Sequence, residues 1–400
     1  MVQVILRVAL FVLCSFVVWR TTGLAVADHL AHDGSAADFD RAIDLEPGDE
    51  SLLAGRAIFR SDEGALKKAV AMNPLDAAAW MTLGLRAESR GDAAEAERDL
   101  VQAAAVDHTF KPAWTLANYY FRANQPEKFR GAIARCLSLI EPKDIQPVSF
   151  DPTPVFDLCW HQTESSKSIL AKSILDLVPR REQTLVPYLK YLYATDRTDA
   201  ALEAWPEALR VANYASPADA DALIGFSEHL IRANRIPEAV EVWNELAERK
   251  IVPAEDPGFS APAIGRGFSW RIEHPPGVYV TEAPRTLKFE FTGDEAEDCE
   301  LLWKFAPVSP ERTWRLVWQA DSSRVLANAG HEADAGFRFE IGEPAGKVFA
   351  TCPARPGSCE FKTSSGTRSV RLSLRYTRAP GMTRVKGILV LSSVRLELRP

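Results

Sequence analysis

Apolar side chains recur every three to four positions through roughly the first 250 residues and every second position thereafter. The first period is that of helices with one buried face, the second that of half-buried strands. Ahead of both stands "MVQVILRVALFVLCSFVVWR", an apolar segment with a cationic entry at Arg7 and an unbroken core from Val8 to Trp19. That core suits a secretory signal, whereas counting back to Val2 with a snorkelling Arg7 approaches a membrane-spanning length. Ala25–Ala27 offers small residues spaced for signal cleavage, while "GLAVADHLA" also continues as a helix from an uncleaved anchor. Either outcome exports the remainder of the chain.

Within the helical part the pattern repeats. Trp80, Leu83 and Gly84 precede Gly91, Ala96, Leu100 and Ala103, and Trp114 follows Trp80 by 34 residues. Such spacing predicts stacked helical hairpins, bulky on the first helix and small where the second approaches, since one hairpin cannot bury its own apolar face. These residues resemble the tetratricopeptide repeat. Residues 77–110 match it well, departing at Ala87 and His108, and residues 111–144 match with Ala117 and Asn118 in place of Leu-Gly. Upstream, "FDRAIDLEP" and "LKKAVAMNP" look like second-helix endings of a shortened unit. The proline-rich stretch from Glu141 to Trp160 reads as a connector. Hairpins then resume, with Ala201 aligned under Ala239 and Trp205 under Trp243, and Pro206 is expected to kink or end its helix.

"PAEDPGFSAPAIGRG" at 253–267 has the composition of a linker. Beyond it "TLKFEFT", "RTWRLVW", "GFRFEI" and "SVRLSLRY" alternate strictly, and eight or nine short strands over such a length predict an antiparallel sandwich. The order of strands over 268–398 and the closing "V-x-L-x-L" resemble jelly-roll sandwiches of the carbohydrate-binding-module and galactose-binding-like type. Export segment, repeats and sandwich together resemble bacterial envelope proteins associated with exopolysaccharide production. The expected fold is therefore multidomain: an apolar segment at 1–27, tetratricopeptide-like repeats at 28–145, a connector with divergent hairpins at 146–252, a linker at 253–267, and an all-β jelly-roll-like domain at 268–400.

Composition narrows function by exclusion. Residues 1–256 carry 27 Lys and Arg against 38 Asp and Glu, and residues 257–400 carry 20 against 16, so neither part has the dense basic face of a nucleic-acid binder. The sequence holds no G-x-S-x-G, P-loop or glycine-rich dinucleotide turn, and His331-Glu332 lacks the second histidine of a metalloprotease helix. No enzyme, cofactor or metal site is therefore expected. The carboxylates of "DEAED" at 294–298 suit calcium, but a solvated turn is the preferred reading. Cys159 and His161 are adjacent on one segment with no third member in view. Cys352 and Cys359 bracket a turn-rich loop that a disulfide would close in an oxidising compartment, with two free thiols as the alternative.

Binding is the remaining expectation. Asn118, Tyr119 and Arg122 lie on the first helix of a unit, which lines the groove where such repeats take a protein partner; inter-repeat packing is the competing reading. Trp270 and Trp303 are the candidates for stacking on a sugar, whereas Trp314 and Trp318 share a face and belong to the core. The leading expectation is an exported scaffold in a bacterial envelope, anchored through residues 1–27 or released by cleavage, whose repeats bind a protein partner and whose sandwich binds a glycan, such as a polysaccharide, or another envelope component. A glycan-processing enzyme or accessory subunit with a carboxylate site in the sandwich, and a purely structural module, are the alternatives.

Overall fold

Asp and Ser side chains cap the starts of several helices, and a left-handed residue turns five of the hairpins. The computed structural model describes residues 2–33, 35–140, 151–166, 174–254, 258–326, 336–344, 346–353, 357–378 and 381–399. Among these, thirteen helices precede ten strands, in two compact units, Met1–Thr184 and Leu185–Pro400. The first unit contains α1 (Val2–Asp33), α2 (Ala36–Leu45), α3 (Glu50–Phe59), α4 (Glu63–Met72), α5 (Ala77–Arg90), α6 (Ala93–Val106), α7 (Phe110–Arg122), α8 (Pro126–Ser138) and α9 (Thr153–Ser166). The side chains of Ser35, Asp49, Asp62, Asp76 and Asp92 accept backbone N–H groups at the starts of α2 to α6. Each satisfies a donor that the first turn leaves without a partner.

Consecutive helices pair as antiparallel hairpins, and the turn chemistry repeats. Ser61, Gly91 and Asn124 have φ of 57°, 81° and 51°, and the next residue's N–H reaches back five positions, from Asp62 to Ala57, Asp92 to Ala87 and Gln125 to Tyr120. This is the helix-ending motif that needs a residue tolerant of the left-handed region. Inside the hairpin of α5 and α6 a side chain at Gly84 would place Cβ 2.6 Å from Leu100 Cγ, and Ala96 is fully buried. Trp80 packs on the preceding hairpin against Ala54, Leu66 and Val70, and its indole donates to the Pro74 carbonyl at 2.9 Å. The upstream unit is complete but short, since α3 and α4 have 10 residues each against 14 in α5 and α6.

Two expectations in this half need correction. The connector read from Glu141 to Trp160 ends early: residues 141–150 lie outside the described residues, and α9 begins at Thr153 with Val155 and Phe156 fully buried. In the second unit, α10 (Glu182–Ala194), α11 (Thr198–Val211), α12 (Pro217–Arg232) and α13 (Ile236–Glu248) form two more hairpins. Their turns repeat the motif, with Asp196 and Asn234 at φ of 56° and 57°. Pro206 does not end α11, which continues to Val211.

The strands are β1 (Arg271–Ile272), β2 (Val278–Ala283), β3 (Thr286–Phe291), β4 (Asp298–Pro307), β5 (Thr313–Leu326), β6 (Phe337–Gly342), β7 (Val348–Pro353), β8 (Ser358–Lys362), β9 (Ser369–Thr377) and β10 (Lys386–Leu398). They form two five-stranded antiparallel sheets, ordered β1-β4-β9-β6-β7 and β2-β3-β10-β5-β8. The alternating residues point inward as their period requires: Leu287, Phe289 and Phe291 face Phe337, Phe339 and Ile341 in one core with Leu372, Leu374 and Tyr376. A bulge in β4 between Glu300 and Leu302 buries Leu301 and Leu302 together and turns Trp303 outward. Cys352 and Cys359 are disulfide-bonded with Cα atoms 6.0 Å apart, tying β7 at the edge of one sheet to β8 at the edge of the other.

Residues 258–267, read as part of a linker, are strapped to folded elements on both sides. Phe259 is buried, Ala263 N–H donates to Glu282, and Arg266 pairs with Glu228 and Asp221 of α12. Gly267, at φ 53°, lies so close to Trp243 of α13 that a Cβ there would be 2.0 Å from the indole. Helices α12 and α13 and the sandwich therefore share a packed junction within the second unit.

Three outcomes are expected. Gly84→Val lowers stability by about 1–3 kcal/mol through overpacking against Leu100, measured by urea denaturation. Reduction of Cys352–Cys359 costs about 2 kcal/mol, seen as a lower melting temperature in dithiothreitol that Cys352→Ala reproduces without reductant. Burial holds the His229 imidazole below its ordinary 6.5 despite Asp196 nearby, so only the unfolded chain takes up this proton first. Stability tied to His229 is thus present above pH 6.5 and lost as pH falls below it; melting temperatures across that range fall less steeply in His229→Gln.

Candidate functional site

The repeat residues expected to meet a partner are already engaged. Arg122 of α7 donates through Nε and Nη2 to both carboxylate oxygens of Glu88 in α5, each at 2.7 Å. The two residues are one repeat apart, and Glu88 holds the guanidinium above its ordinary range. Tyr119 is buried and its hydroxyl donates to the Ala93 carbonyl at 2.9 Å, while Asn118 Nδ2 donates to Trp114 O at 2.8 Å. Tyr119 and Arg122 therefore tie successive hairpins together, whereas Asn118 is engaged within α7 itself. The apolar side chains left open on first helices are Phe59 at the end of α3 and Leu85 in α5.

Neither candidate sugar-stacking tryptophan presents an open ring. Trp270 is buried and tilted against Phe259, with Lys304 Nζ 5.2 Å from its centroid. Trp303 stands on the outer face of β4 between two guanidinium groups, Arg271 from β1 and Arg371 from β9, each 4.4 Å from the ring centroid. Its indole N–H donates to Glu273 at 2.8 Å. Cation–π contacts of this kind are favourable when desolvated, and burial holds the Arg271 guanidinium below its usual range despite Glu228 nearby. Trp303 is thus a clamp across three strands, and the correction has a physical cause: its neighbours on both flanking strands carry planar cations.

The same outer face holds what the motif search missed. Glu300 accepts from Arg371 at 2.7 Å and from the Ser373 hydroxyl at 2.5 Å, Arg375 pairs with Asp298 at 2.8 Å, and Arg338 pairs with Glu340 at 2.8 Å. These side chains form a ladder of mutually oriented donors and acceptors, with Phe305 and Trp303 at one end of β4. The signal was present as the polar phase of "SVRLSLRY", where Arg371, Ser373 and Arg375 alternate with the core residues.

The "DEAED" stretch is a solvated connection between β3 and β4, as expected, except at Glu295. Glu295 is fully buried with Oε1 accepting the Val385 N–H at 3.1 Å, and Glu297 pairs with Arg378. Burial raises the Asp298 carboxyl, but hydrogen bonds from Arg375 and Thr377 outweigh it and hold the group below its ordinary range. Cys159 is buried and its thiol is pushed up to about 12 by that burial, which removes the thiolate that chemistry would need. His161 instead meets the Asp157 carbonyl at 2.8 Å. Among the described residues no group of three or more His, Cys, Asp or Glu is arranged to hold a metal.

At the other end of the chain, α1 is a continuous helix of 32 residues, and Leu10–His32 is long and apolar enough to cross a membrane. Phe11, Val18 and Trp19 are exposed, whereas Ala27 is buried against Ala42 and Leu52. Between these stretches Arg20 Nη1 meets Glu46 at 2.6 Å, and Glu46 is itself buried. The helix is therefore apolar and open over one part and built into the first hairpin over the next.

Comparison with known proteins identifies no family: no family model matches the chain, and no curated protein matches it. Among solved structures, the sandwich part is similar to one titled "CBM4 structure and function", at 9% identity over 36% of this chain and 99% of that one, with a TM-score of 0.26. The helical part is similar to pilF of Pseudomonas aeruginosa, at 13% identity over 58% of this chain and 91% of that one, with a TM-score of 0.28. A structure of accessory secretory proteins 1, 2 and 3 in Streptococcus pneumoniae covers 37% of this chain and 100% of its own, at 10% identity and a TM-score of 0.26. Scores this low assign no relationship, and the architecture stands on the helices and sheets themselves: an apolar N-terminal helix, helical-hairpin repeats and an antiparallel sandwich.

Proposed function

We propose that this chain is a non-catalytic scaffold of a bacterial envelope, held to the inner membrane by an uncleaved α1, whose hairpins take a protein partner and whose sandwich takes a glycan. The observation that carries the reading is the Arg20–Glu46 pair. Cleavage after Ala27 would remove Arg20 together with the turn of α1 that lies beside Glu46 at Gly23, so the ion pair and the packing around it would be lost together. It would also take Ala27 from the first hairpin's core. A signal that is discarded has no reason to complete the fold of what remains. The disulfide between Cys352 and Cys359 supports an oxidising compartment for the sandwich.

The partner surface is the first-helix side of the repeats, where Phe59 and Leu85 are open and an amphipathic helix would bury them. The glycan surface is the outer face of the first sheet. Sugar hydroxyls donate and accept, and the Glu300–Ser373–Arg371 and Arg338–Glu340 groups offer both in fixed positions. An enzyme built on this face would use Glu300 and Glu340, which straddle Arg375 at 4.0 and 3.7 Å. Both carboxylates are already engaged, Glu300 by Arg371 and Ser373 and Glu340 by Arg338, and this weighs against catalysis.

The mass of the membrane-extracted protein tests retention: full length is expected, and a product beginning near Asp28 would end the anchor reading. Glycan-array binding by the full chain tests the sandwich, with Glu300→Gln and Arg371→Met expected to lose about tenfold or more for loss of one charged hydrogen bond. Equal signals from wild type and both variants would remove the glycan half. Release of shorter saccharides by wild type, abolished in Glu300→Gln, would replace the scaffold with an enzyme.

A further inference from the structure

The junction between the last hairpin and the sandwich holds a cavity of about 640 Å³, open on one side and within the size range of sites that take small molecules. Its aromatic lining comes from Trp243 of α13, Phe259, Phe268 and Trp270. Each of these rings is more than nine-tenths buried, and they pack on one another: Trp243 and Phe268 meet edge-on at 5.9 Å, and Phe259 and Trp270 are tilted at 6.0 Å. The strap residues between them contribute proline and alanine, so the walls are mostly carbon and stiff.

The polar side chains on the lining are Asn244, Ser260, Ser269, Glu282, Thr286 and Lys304, and two of them serve the strap. Glu282 accepts the Ala263 N–H at 3.1 Å, and Ser269 Oγ accepts the Ile264 N–H at 3.1 Å. Against the four aromatic rings and the proline walls a saccharide would bury hydroxyls on carbon, at a cost of roughly 2–7 kcal/mol for each one left unbonded. A chain of methylene groups has no such cost and gains about 0.8 kcal/mol per group buried. The cation on the lining is Lys304, whose ammonium lies over the Trp270 ring.

We infer that this cavity binds a single-chain fatty acid, with the hydrocarbon chain among the aromatic and proline walls and the carboxylate at Lys304. The inference does not depend on the glycan reading, since the cavity lies on other residues than the Glu300 ladder.

The test uses full-length protein in nanodiscs labelled with a diazirine-bearing palmitic acid and mapped by peptide mass spectrometry. Adducts are expected at residues 258–270 and 282–287, beyond those that any membrane lipid leaves on α1. Excess palmitate should suppress the junction adducts. Lys304→Met is expected to weaken junction labelling about tenfold, the loss of one charge-assisted contact, and to leave labelling by the matching fatty alcohol unchanged. Ala261→Trp, which fills the cavity, should abolish it. Adducts confined to α1, equal labelling by acid and alcohol in wild type, or competition by oligosaccharides in place of palmitate would each overturn the proposal. If Ala261→Trp fails to fold by circular dichroism, the comparison of acid with alcohol in wild type and Lys304→Met still decides.

Discussion

A stack of helical hairpins always ends with an apolar face that no further hairpin covers, and the second unit is organised around meeting that constraint. Helix α13 presents Trp243, and the segment leading into the sandwich covers it by laying Gly267 flat on the indole and Phe268 against its edge. Only glycine permits both the approach and the backbone conformation there. Around this contact Glu228 of α12 gathers Arg266, Arg271 and the Gly267 N–H, so polar pairs surround the apolar seat. The sandwich thus caps the last hairpin, as terminal repeats must be capped, and the cavity beside Trp243 is a consequence of joining a curved helical face to the end of a sheet.

The chain of contacts continues outward from this seat. Arg271 belongs to β1, and its guanidinium lies over Trp303 of β4, which Arg371 of β9 covers in turn. Arg371 holds Glu300, and Glu300 holds Ser373. The edge of the sheet nearest the helices and its outer ladder therefore share residues. The first unit shows a parallel economy: Arg122 and Glu88 join hairpins across one repeat, and Arg20 and Glu46 join the apolar helix to the hairpin that follows it.

Much of this was legible beforehand. The 34-residue spacing of Trp80 and Trp114, the small residues at Gly84 and Ala96, and the change of period after the hairpins all led to the right elements, because each reflects a local rule of burial. Spacing and turn residues left Cys352 and Cys359 open between a disulfide and two free thiols, and the structure joins them. What could not be read was the use made of polar and aromatic side chains. Trp270 and Trp303 carry the composition of sugar-stacking residues, and nothing along the chain shows that Phe259, Arg271 and Arg371 cover them. Asn118, Tyr119 and Arg122 stand on the expected helix, yet the carboxylate that occupies Arg122 lies on the preceding repeat.

The sequence by itself determined the period of burial, and hence helical hairpins, strands and a helix apolar enough to span a membrane, because burial on one face is a property of neighbours along the chain. Tertiary structure alone decided which side chains remain available. Availability depends on residues 26 to 71 positions apart, such as Arg20 with Glu46 and Glu300 with Arg371, and on a strap of linker-like composition that Trp243 and Glu282 hold in place. Spacing cannot report those meetings, since they depend on how hairpins stack and on where a β-bulge turns β4 outward.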